Sequence, residues 1–197
     1  MPEGTRIELA EVGRPVAPGL ATLANAITFA RLCAVPFAFW LVVRHHLAIA
    51  FWLFLAAGAS DAVDGWLARR NGGSMLGSVL DPVADKALLV TMYVTLAAVR
   101  VLPDWLAILV VFRDLVIVGG VLLLWVLGQT VAIRPLYVSK LNTALQIVLV
   151  AMALLLAGFG RLDGFTAPWL LSSLIWGVAA STLASGAAYV WNAARTR

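Results

Sequence analysis

Ser60-Asp61-Ala62-Val63-Asp64-Gly65-Trp66-Leu67-Ala68-Arg69 closes one apolar stretch, and Gly77-Ser78-Val79-Leu80-Asp81-Pro82-Val83-Ala84-Asp85-Lys86 opens the next. Together these twenty residues hold four of the ten acidic residues of the chain. Asp61 and Asp64 are three apart and share one face of a helix. Asp81 and Asp85 are four apart and share a face of the following one. The connection between them is short, which predicts antiparallel neighbours with both acid pairs near the same end. At about 1.5 Å per residue, Asp61 falls roughly 13 Å inside the end of its helix. Four carboxylates are thereby predicted to converge in one cavity.

The surroundings make that convergence unusual. Of 197 residues, 62% are hydrophobic and 12% charged, and the mean hydropathy is +0.96. Soluble domains run at about 45–50% apolar and about 25% charged. This composition excludes a soluble enzyme, a disordered regulator and a nucleic-acid module, and directs the net charge of +4 toward anionic lipid. About 20 apolar residues cross roughly 30 Å of hydrocarbon. Six stretches qualify, at about 24–43, 47–69, 79–101, 104–127, 139–159 and 168–191. The expected fold is therefore all-α, six transmembrane helices in one membrane domain over 1–197. Residues 1–20 form an N-terminal cytoplasmic segment. Residues 3–14 can lie on the interface as a short helix, with an irregular tail as the alternative.

Basic residues set the orientation. Arg6, Arg14, Arg69, Arg70, Arg134, Lys140, Arg195 and Arg197 fall on the side of the termini, and Arg44, Arg100 and Arg161 on the other. Both termini and the acid cluster are accordingly expected in the cytoplasm, on the inner membrane if the source is bacterial. Trp105, Trp169 and Trp191 near helix ends read as interfacial anchors. His45 and His46 read as solvated loop residues, and the lone Cys33 as a small apolar filler.

Acids inside a membrane span cost at least about 2.5–3.5 kcal/mol each, and like charges raise one another's pKa. Divalent cations remove the difficulty. Carboxylate oxygens are hard ligands suited to Mg²⁺, Mn²⁺ or Ca²⁺, and no His or Cys cluster points to zinc. The simpler alternative is helix-to-helix ion pairing, for instance of Asp85 with Arg69, which accounts for one or two acids but not four. A cation transporter would also carry intramembrane acids, yet residues 104–197 hold no counterpart cluster.

Asp61-x2-Asp64-Gly65-x2-Ala68-Arg69-x7-Gly77-x3-Asp81-x3-Asp85 resembles the signature of the CDP-alcohol phosphotransferases. The resemblance implies a membrane homodimer that joins a CDP-linked alcohol to a second alcohol and releases CMP. It implies two Mg²⁺ or Mn²⁺ ions held by Asp61, Asp64, Asp81 and Asp85, with Asp85 as the base. By the same resemblance Asn25, Thr28, Asp61, Gly65, Ala68, Arg69 and Gly77 would bind the CDP portion of CDP-diacylglycerol. Asn25-x2-Thr28-x2-Arg31 resembles a first-helix motif of the glycerophosphate branch, although Ala24 stands where proline is common. Ser139-Lys140-x-Asn142-Thr143-Ala144-x-Gln146 resembles the cardiolipin synthase branch, whose acceptor is phosphatidylglycerol. The phosphatidylglycerophosphate synthase branch, with glycerol-3-phosphate as acceptor, tends to have a second lysine where Asn142 stands and a glutamate where Asp114 stands. One cation fewer suits the singly charged phosphodiester of phosphatidylglycerol better than a nearly dianionic phosphate. Arg31, Arg113, Lys140 and Asn142 are the expected acceptor contacts. Lys86 reads equally as an acceptor-phosphate contact or as a simple partner of the acid cluster.

Overall fold

The computed structural model describes the backbone at residues 18–71, 75–126, 137–160 and 167–195, and side chains at 27–60, 83–120, 139–160 and 168–188. The N-terminal segment 3–14 lies outside these residues. Among the described residues the chain is all-helical, in six helices: α1 (Pro18–Val43), α2 (Leu47–Asn71), α3 (Met75–Ala98), α4 (Asp104–Val126), α5 (Tyr137–Gly158) and α6 (Ala167–Arg195). The helices follow the six apolar stretches closely. α1 and α3 begin earlier than those stretches because helix and apolar run are different things. Pro18 suits a first helical position, where its missing N–H is no loss, and Met75 to Ser78 are helical without being strongly apolar.

Hydropathy distinguishes the helices from one another. Among the described residues, Ser139–Gly158 of α5 and Pro168–Ala188 of α6 are long and apolar enough to cross a membrane by length and composition, while Ile27–Val43 and Leu47–Ser60 are shorter apolar runs. α3 and α4 carry charges well inside their length, Asp85-Lys86 and Arg113-Asp114. Outward faces are apolar throughout, with Phe29, Phe37, Trp40, Trp52, Ile108, Phe112, Leu115, Trp169 and Leu183 all exposed. Soluble monomers rarely present such a continuous surface. Cys33 lies on this outer face too, as an exposed thiol rather than a core filler.

The helices close into a ring. α1 packs on α2 and α3, α3 on α4, α4 on α6, α6 on α5 and α5 on α2, while α3 and α5 also touch across the middle. The expected antiparallel neighbours α2 and α3 line one cavity and are not among the main packing pairs of the described residues. Among the described residues the main partners of α2 are α1 and α5, and those of α3 are α1, α4 and α5. Among the described residues the two acid-bearing helices face each other across a cavity instead.

The core fills one half of the ring. Ala38, Leu41 and Val42 of α1 meet Ala50 and Phe54 of α2, Met92, Tyr93 and Leu96 of α3, Leu106 and Val110 of α4, Leu149, Val150 and Leu154 of α5, and Val178 of α6. At this end the turns are tight. α1 ends with His45 at φ 60°, where His45 N–H donates to Val42 O and His46 N–H to Leu41 O at 2.9 and 2.8 Å. α3 ends the same way at Arg100, φ 63°, with Val101 N–H donating to Leu96 O. Both are the paired bonds of a Schellman cap, so the backbone groups left over at each helix end are satisfied locally. Gly158 brings α5 against the start of α2 so closely that a Cβ there would lie 2.6 Å from the backbone nitrogen of Ala48.

Candidate active site

The opposite half of the ring is polar inside. Asp85 on α3 accepts a hydrogen bond from Arg31 Nη1 on α1 at 2.9 Å. The Arg31 side chain is 1% exposed and that of Asp85 39%, so a sequestered cation reaches a carboxylate that still opens outward. Ion pairing, the simpler expectation for this acid, is thus realised with Arg31. Arg69 lies outside the described side chains. Thr28, one turn before Arg31 on the same face, is buried beside it.

Asp85 opens onto a cavity of about 400 Å³ between α2, α3 and α5. Its wall on α2 is Phe54, Leu55, Ala57, Gly58 and Ala59. Leu88 and Leu89 of α3 and Thr143, Ile147 and Ala151 of α5 complete it. The cavity is apolar apart from Asp85 and Thr143. Small side chains on α2 keep it open, a signal present in the run Ala56-Ala57-Gly58-Ala59 but overlooked when only charged residues were sought. Lys140 is exposed on a shallow depression along α5 with Ser139, Thr143, Ala144 and Ile147. Thr143 and Ile147 belong to both hollows, so Lys140 borders the Asp85 cavity.

A second polar cluster ties four helices together. Asp114 Oδ1 accepts from Arg113 Nη1 at 2.7 Å, and its Oδ2 pairs with Lys86 Nζ at 2.8 Å. Arg113 Nη2 donates to Ser139 Oγ at 2.8 Å and to Ser185 Oγ. The guanidinium of α4 is therefore shared among α5 and α6, and Lys86 of α3 is linked to it through Asp114. Lys86 thus pairs with Asp114 of α4, which is not one of the four signature aspartates. Deeper along α5, Asn142 Oδ1 accepts from Ser181 and Thr182 of α6 at 2.8 and 2.9 Å. Tyr93 of α3 donates to the backbone carbonyl of Gln146 at 3.4 Å.

The four expected acceptor residues thus do not form one group. Arg31 faces Asp85, Lys140 borders the cavity, Arg113 sits in the four-helix cluster, and Asn142 is fully buried between α5 and α6. Ser181, Thr182, Ser185 and Tyr93, which pattern reading passed over, hold this seam together, Tyr93 through the backbone carbonyl of Gln146. Their signal was polarity at buried positions of otherwise apolar helices. Within it Arg113 Nε, Asn142 Nδ2 and Gln146 Nε2 have no hydrogen-bond partner among the described residues.

A helical bundle with a carboxylate facing an apolar cavity fits a lipid substrate, and the sequence relationships agree. The family model for CDP-alcohol phosphatidyltransferases matches residues 21–184. The chain belongs to the CDP-alcohol phosphatidyltransferase family. Among the relatives of this family member, a cardiolipin synthase (CMP-forming)/mitochondrial hydrolase fusion protein of Schizosaccharomyces pombe is 34% identical over 90% of this chain and 32% of its own length. A chloroplastic CDP-diacylglycerol–glycerol-3-phosphate 3-phosphatidyltransferase of Oryza sativa is 35% identical over 85% of this chain and 55% of its own. The cardiolipin synthase (CMP-forming) of Homo sapiens is 30% identical over 84% and 59%. The chain therefore spans between about a third and three-fifths of the length of these curated relatives.

Of the four expected metal ligands, Asp85 is the one whose side chain is described. Asp61, Asp64 and Asp81 lie outside the described side chains, as do Asn25, Gly65, Ala68, Arg69 and Gly77. Among the described residues no group of three or more His, Cys, Asp or Glu forms a metal site. α2 and α3 are nevertheless helical through all four aspartate positions, which keeps each pair on one face. An all-carboxylate donor set of this kind fits a hard divalent ion.

Proposed function

We propose that this chain is a phospholipid-synthesising transferase of the CMP-forming cardiolipin synthase type. It would move the phosphatidyl group of CDP-diacylglycerol to phosphatidylglycerol. The observation that carries the reading is Asp85, a carboxylate on the wall of an apolar cavity at the end of the aspartate signature. A lipid hydroxyl delivered from that cavity meets Asp85 while its acyl chains stay among Phe54, Leu88, Leu89 and Ile147. Asp85 accepts the hydroxyl proton, and the resulting oxygen forms a bond to the phosphorus that carries diacylglycerol. The bond from that phosphorus to the bridging oxygen breaks, and CMP leaves.

Asp61, Asp64, Asp81 and Asp85 would hold two Mg²⁺ or Mn²⁺ ions. When bound, these neutralise the pyrophosphate and the leaving CMP. Gly65, Ala68 and Gly77 leave room for the nucleotide, with Arg69, Asn25 and Thr28 as its polar contacts. Lys140 faces the acceptor phosphate. Arg113 and Asn142 hold the α5 face that carries Lys140, through Ser139, Ser181 and Thr182.

Residues 1–197 are read as a single membrane domain with six spans, assembled as a homodimer, both termini and the site on the cytoplasmic face. The apolar outer surface of the ring supports the multi-span reading, and the excess of Arg and Lys on one side supports the orientation. A second reading, phosphatidylglycerophosphate synthesis from glycerol-3-phosphate, is favoured by the rice relative. Purified protein given CDP-diacylglycerol and either acceptor, with lipid products read by mass spectrometry, decides between them. Cardiolipin formed only with phosphatidylglycerol is the expected result. Phosphatidylglycerophosphate formed from glycerol-3-phosphate replaces it with the second reading.

A further inference from the structure

The pairing of Arg31 with Asp85 raises a question of occupancy. Arg31 keeps its charge under all ordinary conditions, and burial leaves it nowhere to discharge that charge except onto a carboxylate. Its Nη1 sits 2.9 Å from Asp85 Oδ1. It comes from α1, a helix that carries none of the four signature aspartates and that packs on both α2 and α3. The contact is therefore built by the ring itself and not by the helix that bears the acid. A carboxylate has two oxygens and about four lone-pair positions, so a cation on Asp85 would share the group with a fixed guanidinium a few ångströms away.

We infer that Arg31 and a divalent cation are alternative partners of Asp85. Without metal, the guanidinium holds Oδ1 and neutralises the acid in the bundle. On metal binding, the ion takes over that oxygen and Arg31 turns its donors toward the anionic oxygens that arrive with the ion. α1 thus contributes a resident counter-ion to Asp85 when no metal is bound. The inference rests on the reading of Asp85 as a metal ligand, so its test reads metal binding and not turnover.

The full chain in detergent, without nucleotide or lipid substrate, is titrated with Mn²⁺, and free ion is followed by electron paramagnetic resonance. Removing one positive charge in contact with a ligand carboxylate changes binding by at least about tenfold, so Arg31→Gln is expected to bind Mn²⁺ at least that much more tightly than wild type. Its thermal midpoint should be lower than wild type without metal and should rise more when Mn²⁺ is added. Arg31→Lys keeps the charge but loses the planar fork, and is expected between the two. It carries the test if Arg31→Gln fails to fold, tighter binding than wild type being the expected result. Wild-type binding that is unchanged or weakened in the variants overturns the exchange while leaving the metal reading in place. No Mn²⁺ binding by wild type, with none gained in the variants, overturns both.

Discussion

The two halves of the ring solve opposite problems. Around the His45 and Arg100 turns, Leu41, Met92, Tyr93, Leu96, Leu149 and Leu154 are buried to 2% exposure or less, and backbone caps close the helix ends. Around Asp85, charges from α1, α3 and α4 lie inside the bundle, paired across helices, and a cavity of about 400 Å³ interrupts the packing between α2 and α5. Close packing is the usual way to gain stability, and ionic groups at membrane depth are costly. A fold that packs one half fully and leaves the other polar and open separates the work of holding six helices together from the work proposed for the Asp85 cavity.

The sharpest way to break this contrast is Asp85→Asn. Loss of a general base lowers rate by about 10²–10⁴-fold, and loss of an expected metal ligand adds to that. CMP release should fall at least this far, while circular dichroism and gel filtration report a folded, helical protein. Retained turnover would remove Asp85 from the chemistry. Next in size is Arg113→Ala. It strips Asp114 of one partner and releases Ser139 and Ser185, and breaking a buried pair costs about 3–5 kcal/mol. Because Lys86 remains on Asp114, the lower end is expected, read as a drop in thermal midpoint together with reduced activity. A loss of activity with no loss of stability would instead mean that Arg113 touches substrate directly.

How much of this was written in the sequence differs between the halves as well. Helix positions followed from the apolar stretches, because a span must satisfy its backbone within itself. The signature aspartates stood out because acids are rare in such stretches. Neighbour relations did not follow. A short α2–α3 connection predicted antiparallel neighbours, yet chain proximity at one end says nothing about which faces are complementary along the rest, and among the described residues α1 and α5 are the main partners of α2. Arg31 and Asn142 were legible as polar residues that needed a reason, but their partners lie 54 and about 40 positions away. Spacing along one helix carries no information about such contacts.

The packed half supplies a smaller test. Gly158→Ala places a methyl 2.6 Å from Ala48 N, with backbone on the other side, so α5 and α2 must move apart. Overpacking of this kind costs about 1–3 kcal/mol. Thermal stability should fall by that amount while activity per folded molecule stays near normal. A large loss of turnover would show that the spacing of α2 and α5 at this end is transmitted to the cavity at the other.

The smallest effect is expected to have the opposite sign. Three turns at the packed end use a left-handed residue, His45, Arg100 and Gly160, at φ 60°, 63° and 64°. Only the third has the residue that adopts this conformation freely. For a residue with a Cβ it costs about 1–2 kcal/mol, and glycine gives back about 0.4–1 kcal/mol through the greater freedom of the unfolded chain. His45→Gly should therefore stabilise by roughly 0.5–1 kcal/mol. For a domain of this size that is a rise in thermal midpoint of roughly 1–4 °C. Turnover should be unchanged, since the Schellman bonds at Leu41 and Val42 need only the backbone. A fall in stability would mean that the exposed imidazole of His45 has a partner that the cap geometry alone does not reveal.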